Sequence, residues 1–297
     1  ENNARIDRLE SLEEGGQGWR KARYDVVINL DKEPEALEAL EGTKAALKMG
    51  FGGVGGKVCP VNDLSEYAYR LGVDDELKFR VNQKTYQEIS FEQVGLHFQK
   101  EEVEFFPDTE SLMKAADILS KKGVDLGNRA SKIVGINTGS GNRFAGKKLP
   151  RENCATLAKR LYEQLGVTVF LLGGEDEIER NRWITDNAGV PVVNTGSHPL
   201  GIFAGIVKAC DVVITGDTTA MHVAIALKVP VVAYFASTCA AEIELYGRGR
   251  KIVSNIICAP CYKRDCPIDE QCMQDMDLEV LVQNAKEVLE SCALRVP

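Results

Sequence analysis

The stretch Gly216-Asp217-Thr218-Thr219-Ala220-Met221-His222 gathers a carboxylate, two hydroxyls and an imidazole. It follows the β-branched run Val212-Val213-Ile214-Thr215 and opens a segment of helix length, so the pattern predicts strand, tight turn and helix, with Thr218 or Thr219 as N-cap. A helix start offers unpaired N–H groups and the positive end of a dipole, which suits a phosphate. Thr218 and His222, four residues apart, share one helical face. Asp217, at the strand end, either accepts from a ribose or sugar hydroxyl or orients the loop by taking its N–H groups. An Asp-Thr pair alone is as often a plain helix cap; a histidine on the same turn points toward a ligand.

A second set is Cys258, Cys261, Cys266 and Cys272, spaced closely enough to converge on one metal. Spacing alone favours structural zinc or an iron–sulfur cluster; structural thiols, free or disulfide-linked, are the alternative, and a redox role is a third. The chain has nine cysteines, an odd number, and Cys154 and Cys210 fall in predicted helices. That usage fits reduced thiols in a cytoplasmic protein better than a secreted disulfide framework.

The elements that must position these groups repeat regularly from Lys132 onward. Ile133–Asn137, Thr168–Leu172, Val192–Asn194, Val212–Thr215 and Val231–Phe235 are short apolar runs alternating with helical stretches, among them Thr218 to Lys228, the pattern of a parallel doubly wound sheet. Ligands in such sheets sit at the carboxyl ends of the strands. Four polar loops then become candidates for one shared pocket: Thr138 to Arg143, Gly173 to Glu177, Thr195 to His198, and Gly216 to Thr219.

Upstream, Tyr24 to Leu30 reads as a buried strand and Ala36 to Met49 as a helix. The glycine-rich residues 50–65 read as a surface loop, lacking the Gly-x-Gly-x-x-Gly spacing that a Rossmann oxidoreductase would need. Helical segments follow at Tyr67–Leu71, Thr85–Leu96 and Thr109–Lys122, and the polar connection from Gly123 to Ser131 suggests a domain boundary. Leu278 to Leu289 closes the chain as an amphipathic helix. A length of 297 residues, 44% of them apolar, allows two domains with cores of their own. The net charge of −8 argues against a general nucleic-acid binder. No signal peptide and no apolar run of membrane-spanning length is evident.

The string from Gly216 to Phe235, GDTTAMHVAIALKVPVVAYF, resembles the nucleotide-binding signature of glycosyltransferase family 9, the ADP-heptose:lipopolysaccharide heptosyltransferases. That family usually reads Asp-Thr-Gly-Pro-Met-His, and here Thr219-Ala220 stands at the Gly-Pro positions. The Cys-Ala-Pro-Cys and Cys-Met segments resemble the family's ending, where they form a structural knuckle.

The resemblance implies an α/β, GT-B-type fold of two Rossmann-like doubly wound domains. Residues 1–128 form an acceptor-side domain lacking its opening strands, 129–275 a nucleotide-sugar-binding domain, and 276–297 the terminal helix. It implies inverting transfer of a heptose from an ADP-sugar to a lipid A–core acceptor at the inner membrane face, with no cofactor required. Lys147, shortly before Leu149-Pro150 where the family has Trp-Pro, would meet the leaving diphosphate. Glu177 would bond the nucleoside, with Glu175 and Asp176 as helix-cap alternatives, and His198 would line the base pocket. The family's proton acceptor is an aspartate in a Gly-Asp loop after the first strand. No such segment precedes Tyr24, so Asp31 is the nearest substitute, with a loop cap as its ordinary role. A nucleotide-binding but non-catalytic chain is the alternative reading.

Overall fold

The structure, a computed structural model, describes residue 3 and residues 5–10, 18–141 and 146–293. Asn142 and Arg143 of the first candidate loop, and most of residues 1–17, lie outside the described residues. The chain divides into two compact units, Asn3–Glu101 with Ala241–Glu244, and Glu102–Ala240 with Leu245–Pro297. No helix of the described residues is long and apolar enough to cross a membrane.

The smaller unit runs α1 (Gly18–Lys21), β1 (Arg23–Asn29), α2 (Pro34–Gly42), β2 (Lys44–Val54), β3 (Lys57–Pro60), α3 (Glu66–Arg70) and α4 (Tyr86–Gln93). β1 and β2 pair in parallel across α2, and β3 returns antiparallel to β2. Pro34 opens α2, where its missing N–H costs nothing. Thr85 and Glu88 form a reciprocal capping box at the start of α4. Leu37, Phe51, Ala68, Leu71 and Ile89 make a small core.

Three expectations fail in this unit. The helix expected to reach Met49 stops at Gly42: Thr43 turns extended, and its hydroxyl donates back to the Ala39 carbonyl at 2.7 Å. Residues 44–49, for all their helix-forming Ala, Leu and Lys, pair with β1, Ala45 opposite Tyr24 and Leu47 opposite Val26. The glycine-rich segment is a hairpin rather than a loop, turned by Gly55 and Gly56 at φ +58° and +75°. Gly50 is required where β2 crosses Asn29, since a Cβ there would lie 1.9 Å from the Asn29 carbonyl oxygen. Finally, β1 is not buried: Val26 and Ile28 are 48% and 50% exposed. Among the described residues β2 is its sole hydrogen-bonded neighbour, so its apolar run does not signify two covered faces.

The larger unit runs α5 (Thr109–Lys121), β4 (Ile133–Asn137), α6 (Arg151–Leu165), β5 (Thr168–Leu172), α7 (Ile178–Asn187), β6 (Val193–Asn194), α8 (Leu200–Lys208), β7 (Val212–Thr215), α9 (Thr219–Ala226), β8 (Val231–Phe235), β9 (Gly249–Val253), α10 (Gln271–Gln274) and α11 (Leu278–Ala293). Its six strands are all parallel in the order β6-β5-β4-β7-β8-β9. Numbered within the unit, that is 3-2-1-4-5-6, the doubly wound order whose switch point falls between β4 and β7.

Leu157, Leu161, Leu171, Ile214, Val232 and Leu281 are fully buried or nearly so, in a core shared by α6, α11 and the sheet. Each such aliphatic side chain contributes about 1.5–3 kcal/mol over exposure, so this core is the stronger of the two. The terminal helix is thus part of this unit. So is α5, which the expected boundary at residue 128 assigns to the first domain. Gly205 of α8 faces Ala115 of α5 so closely that a Cβ would lie 2.6 Å from Ala115 Cβ.

Candidate functional site

Polar groups collect on both sides of the switch point. Thr218 is the N-cap of α9 in extended conformation, but its side chain does not cap the helix. Its Oγ1 pairs instead with Thr215 Oγ1 at 2.9 Å and accepts from Asn137 Nδ2 at 3.2 Å. The Thr218 side chain therefore accepts no bond from the first-turn N–H groups of α9. Asn137, 5% exposed, also donates to the Gly139 carbonyl at 2.6 Å and ties the β4 loop to the β7 loop. The sequence reading did not single it out; its signal was a polar residue ending an otherwise apolar strand.

Glu177 is 7% exposed, and its Oε2 accepts from the Gly174 N–H at 2.9 Å. The carboxylate lies directly over Gly139, where a Cβ would come within 1.9 Å of Oε1. It fits because that glycine has no side chain. His198 Nε2 lies 2.7 Å from the Thr195 carbonyl, which can only accept, so that nitrogen carries a proton. Glu177, His198, Thr218 and Thr219, with Asn137 and Gly139 to Gly141, line one cleft of about 410 Å³. All four candidate loops contribute to it.

Lys147, Asp217 and His222 do not line that cleft. They form a cluster beside it, with Lys147 Nζ 3.0 Å from Asp217 Oδ2 and His222 Nε2 3.5 Å from Oδ1. Burial pushes the Asp217 carboxyl up, but the hydrogen bond from His222, the charge and hydrogen bond of Lys147 and a bond from Thr238 outweigh it and hold the group down at about 2. Asp217 is thus an ionised brace between two nitrogen bases. Its pairing is stabilising above the ordinary carboxylate range and is lost as pH falls from about 4 toward about 2. That depression below the ordinary carboxylate range is worth about 2 kcal/mol. Wild-type protein should therefore lose about that much more stability than Asp217→Asn between about pH 5 and pH 2, by denaturant titration at stepped pH. Parallel curves for the two proteins would refute the brace.

The segment carrying Lys147 is held from below. Leu149, at the position of the family's tryptophan, is 1% exposed, and its carbonyl accepts from Arg180 Nη2. Gly216 leaves room for the Lys147 backbone, whose carbonyl oxygen would stand 2.2 Å from a Cβ there. Neither Arg180 nor Gly216 carried a sequence signal for this role, since both act through contacts remote along the chain.

Asp31 lies in the smaller unit, exposed, with Oδ1 accepting from the Glu33 N–H at 3.0 Å. It therefore serves as a loop cap. Asp277 likewise serves as a cap, its Oδ1 accepting from the Glu279 and Val280 N–H groups.

Cys258, Cys261, Cys266 and Cys272 are not disulfide-bonded and line a common cavity of about 120 Å³. Burial, and then the proximity of the other three thiols, pushes the Cys272 thiol up to about 11. Among the described residues no three His, Cys, Asp or Glu side chains converge as a ready metal site.

The architecture is that of GT-B glycosyltransferases. Structures similar to it include the glycosyl transferase family 9 protein of Veillonella parvula DSM 2008, with TM-score 0.63, 20% identity and 90% of this chain on 74% of that one. E. coli heptosyltransferase WaaC, solved with ADP, gives TM-score 0.51 at 14% identity, over 94% of this chain and 77% of that one. The family model for glycosyltransferase family 9 (heptosyltransferase) matches residues 16–271, and the chain belongs to that family. A lipooligosaccharide heptosyltransferase 2 of Campylobacter jejuni is 32% identical over 169 residues, 55% of this chain and 53% of the relative. The chain spans about half the length of the curated relatives it matches.

Proposed function

We propose that the larger unit binds an ADP-sugar at the switch point and that the protein transfers the sugar, a heptose, with inversion to a lipopolysaccharide core acceptor. The observation carrying this reading is the meeting of four strand-end loops around the start of α9, with Lys147 and His222 beside it. In this reading Glu177 accepts from the ribose and His198 borders the base. Thr218, Thr219 and the first-turn N–H groups of α9 take the diphosphate. Lys147 and His222 offset the charge that builds on departing ADP, while Asp217 holds both in place. A lipid-anchored acceptor places the protein at the inner face of a membrane, on the cytoplasmic side.

The acceptor hydroxyl must lose a proton, and Asp31 is the carboxylate to examine first. The test is calorimetric ADP binding beside mass-spectrometric detection of transfer from ADP-heptose to a lipid A–core acceptor. ADP binding with sugar transfer is expected, and the absence of ADP binding would overturn the reading. If Asp31 is the base, Asp31→Asn lowers turnover by about 10²–10⁴-fold with ADP affinity unchanged. Unchanged turnover would remove it from the mechanism.

A further inference from the structure

We propose that Asn137 is a second reader of the ribose: its Oδ1 accepts from one hydroxyl of the vicinal diol while Glu177 takes the other, which makes the site selective for ribonucleotides over deoxyribonucleotides. This deepens the proposed function and rests on it.

The Asn137 amide can lie only one way round. Nδ2 meets the Gly139 carbonyl oxygen at 2.6 Å, and a carbonyl can only accept. The second N–H begins a chain of donors that ends on another carbonyl. Thr215 Oγ1 donates to the Gly216 carbonyl at 2.9 Å, so the Thr218 hydroxyl donates to Thr215 at 2.9 Å and accepts from Asn137 Nδ2 at 3.2 Å. Both amide hydrogens are thereby used. The carbonyl oxygen Oδ1 is what Asn137 offers to the cleft it lines.

Among the described residues no donor reaches that oxygen, and none reaches Glu177 Oε1, although the two side chains are only 5% and 7% exposed. A buried acceptor without a donor is costly, and a ligand that brings a hydroxyl removes the cost. Both groups sit against Gly139. Asn137 bonds its carbonyl, and Glu177 Oε1 would stand 1.9 Å from a Cβ on its α-carbon.

The cleft is thus sorted into two open acceptors at Gly139 and the donors at the start of α9, its first-turn N–H groups and the Thr219 hydroxyl. A nucleoside 5′-diphosphate has the matching polarity, two neighbouring hydroxyl donors on the pentose and an anion at the far end. Phosphate oxygens only accept, so a carboxylate and an amide carbonyl keep them away from the Gly139 side.

The test is calorimetric titration of the unmutated chain, Asn137→Ala and Glu177→Ala with ADP, 2′-deoxy-ADP and 3′-deoxy-ADP. The unmutated chain should bind each analogue about 10- to 100-fold more weakly than ADP, because one buried acceptor is then left unpaired. Asn137→Ala also loosens the loops and should weaken all three ligands. The penalty for one particular missing hydroxyl should nevertheless shrink to within about twofold, and Glu177→Ala should erase the other. A residue that only supports the loops would lower the three affinities alike, so both penalties persisting in Asn137→Ala would overturn the assignment. Asn137→Ser, too short to reach the ring, replaces a variant that fails to fold. Equal binding of ADP and both analogues by the unmutated chain would overturn the inference and leave the proposed function standing. So would an Asn137 variant that loses affinity for ADP-heptose but not for ADP, which moves Oδ1 to the transferred sugar. Absence of ADP binding would overturn both.

Discussion

With Lys147 replaced by alanine, ADP should bind about 10- to 100-fold more weakly, a loss of about 1–3 kcal/mol. Two effects add. The Lys147 side chain is 16% exposed, and a charge-assisted bond made there is poorly replaced by water. Its removal also leaves Asp217, 18% exposed, with His222 as its remaining close nitrogen base, so a carboxylate now faces the incoming diphosphate with less compensation. The second effect predicts a sign. The double variant Lys147→Ala/Asp217→Asn should bind ADP better than Lys147→Ala alone, because neutralising Asp217 removes the repulsion. Calorimetric titration of the four proteins closes the cycle. Wild-type affinity in Lys147→Ala would take this lysine out of the site.

A comparable effect is expected from a single methyl group at Gly216. The Cβ of Gly216→Ala would stand 2.2 Å from the Lys147 carbonyl oxygen and 3.1 Å from Tyr234 Cε2, a backbone atom and a fully buried ring. Neither yields cheaply, so the variant should lose about 1–3 kcal/mol of stability and displace Lys147, weakening ADP binding as well. Gly139→Ala supplies the contrast. There the Cβ meets the far end of a side chain, the Glu177 carboxylate at 1.9 Å, which swings aside and gives up its bond from the Gly174 N–H. Stability should fall by about 1 kcal/mol, while ADP affinity falls as it does when Glu177 itself is replaced. Chemical denaturation and ADP titration of both variants separate the two. Gly216→Ala as stable as wild type would show that the Lys147 segment is not pinned there.

The central strands of the larger sheet were legible because Val134, Val169 and Val213 lie in runs buried on both faces, where a β-branched pattern has one meaning. β9 was not legible. Arg250 and Lys251 interrupt its apolar pattern, as befits an edge strand, and it is identified by pairing with β8 rather than by composition. Residues 44–49 misled in the opposite sense, since local propensity favours a helix and the register against β1 decides. In the site, the loops could be located because the fold's topology brings strand ends together. The bonds within them could not, for Asn137 to Thr218 and Arg180 to Leu149 each depend on how distant segments align.

The close seam between α5 and α8 bears on where this protein can be divided. Gly201 would place a Cβ 2.5 Å from Ser111 Oγ, as Gly205 would against Ala115, so two turns of α8 are shaped to α5 and to no bulkier neighbour. A cut in the polar connection after Gly123 looks natural along the chain, yet it would strip α8 of its partner and leave a bare stripe of glycine and alanine in water. The severable joint lies earlier, before Glu102, whose carboxylate takes a two-pronged grip from Arg248 at 2.8 and 3.2 Å. For recombination between members of the family, the inheritable module is therefore a sheet together with a helix that precedes its first strand.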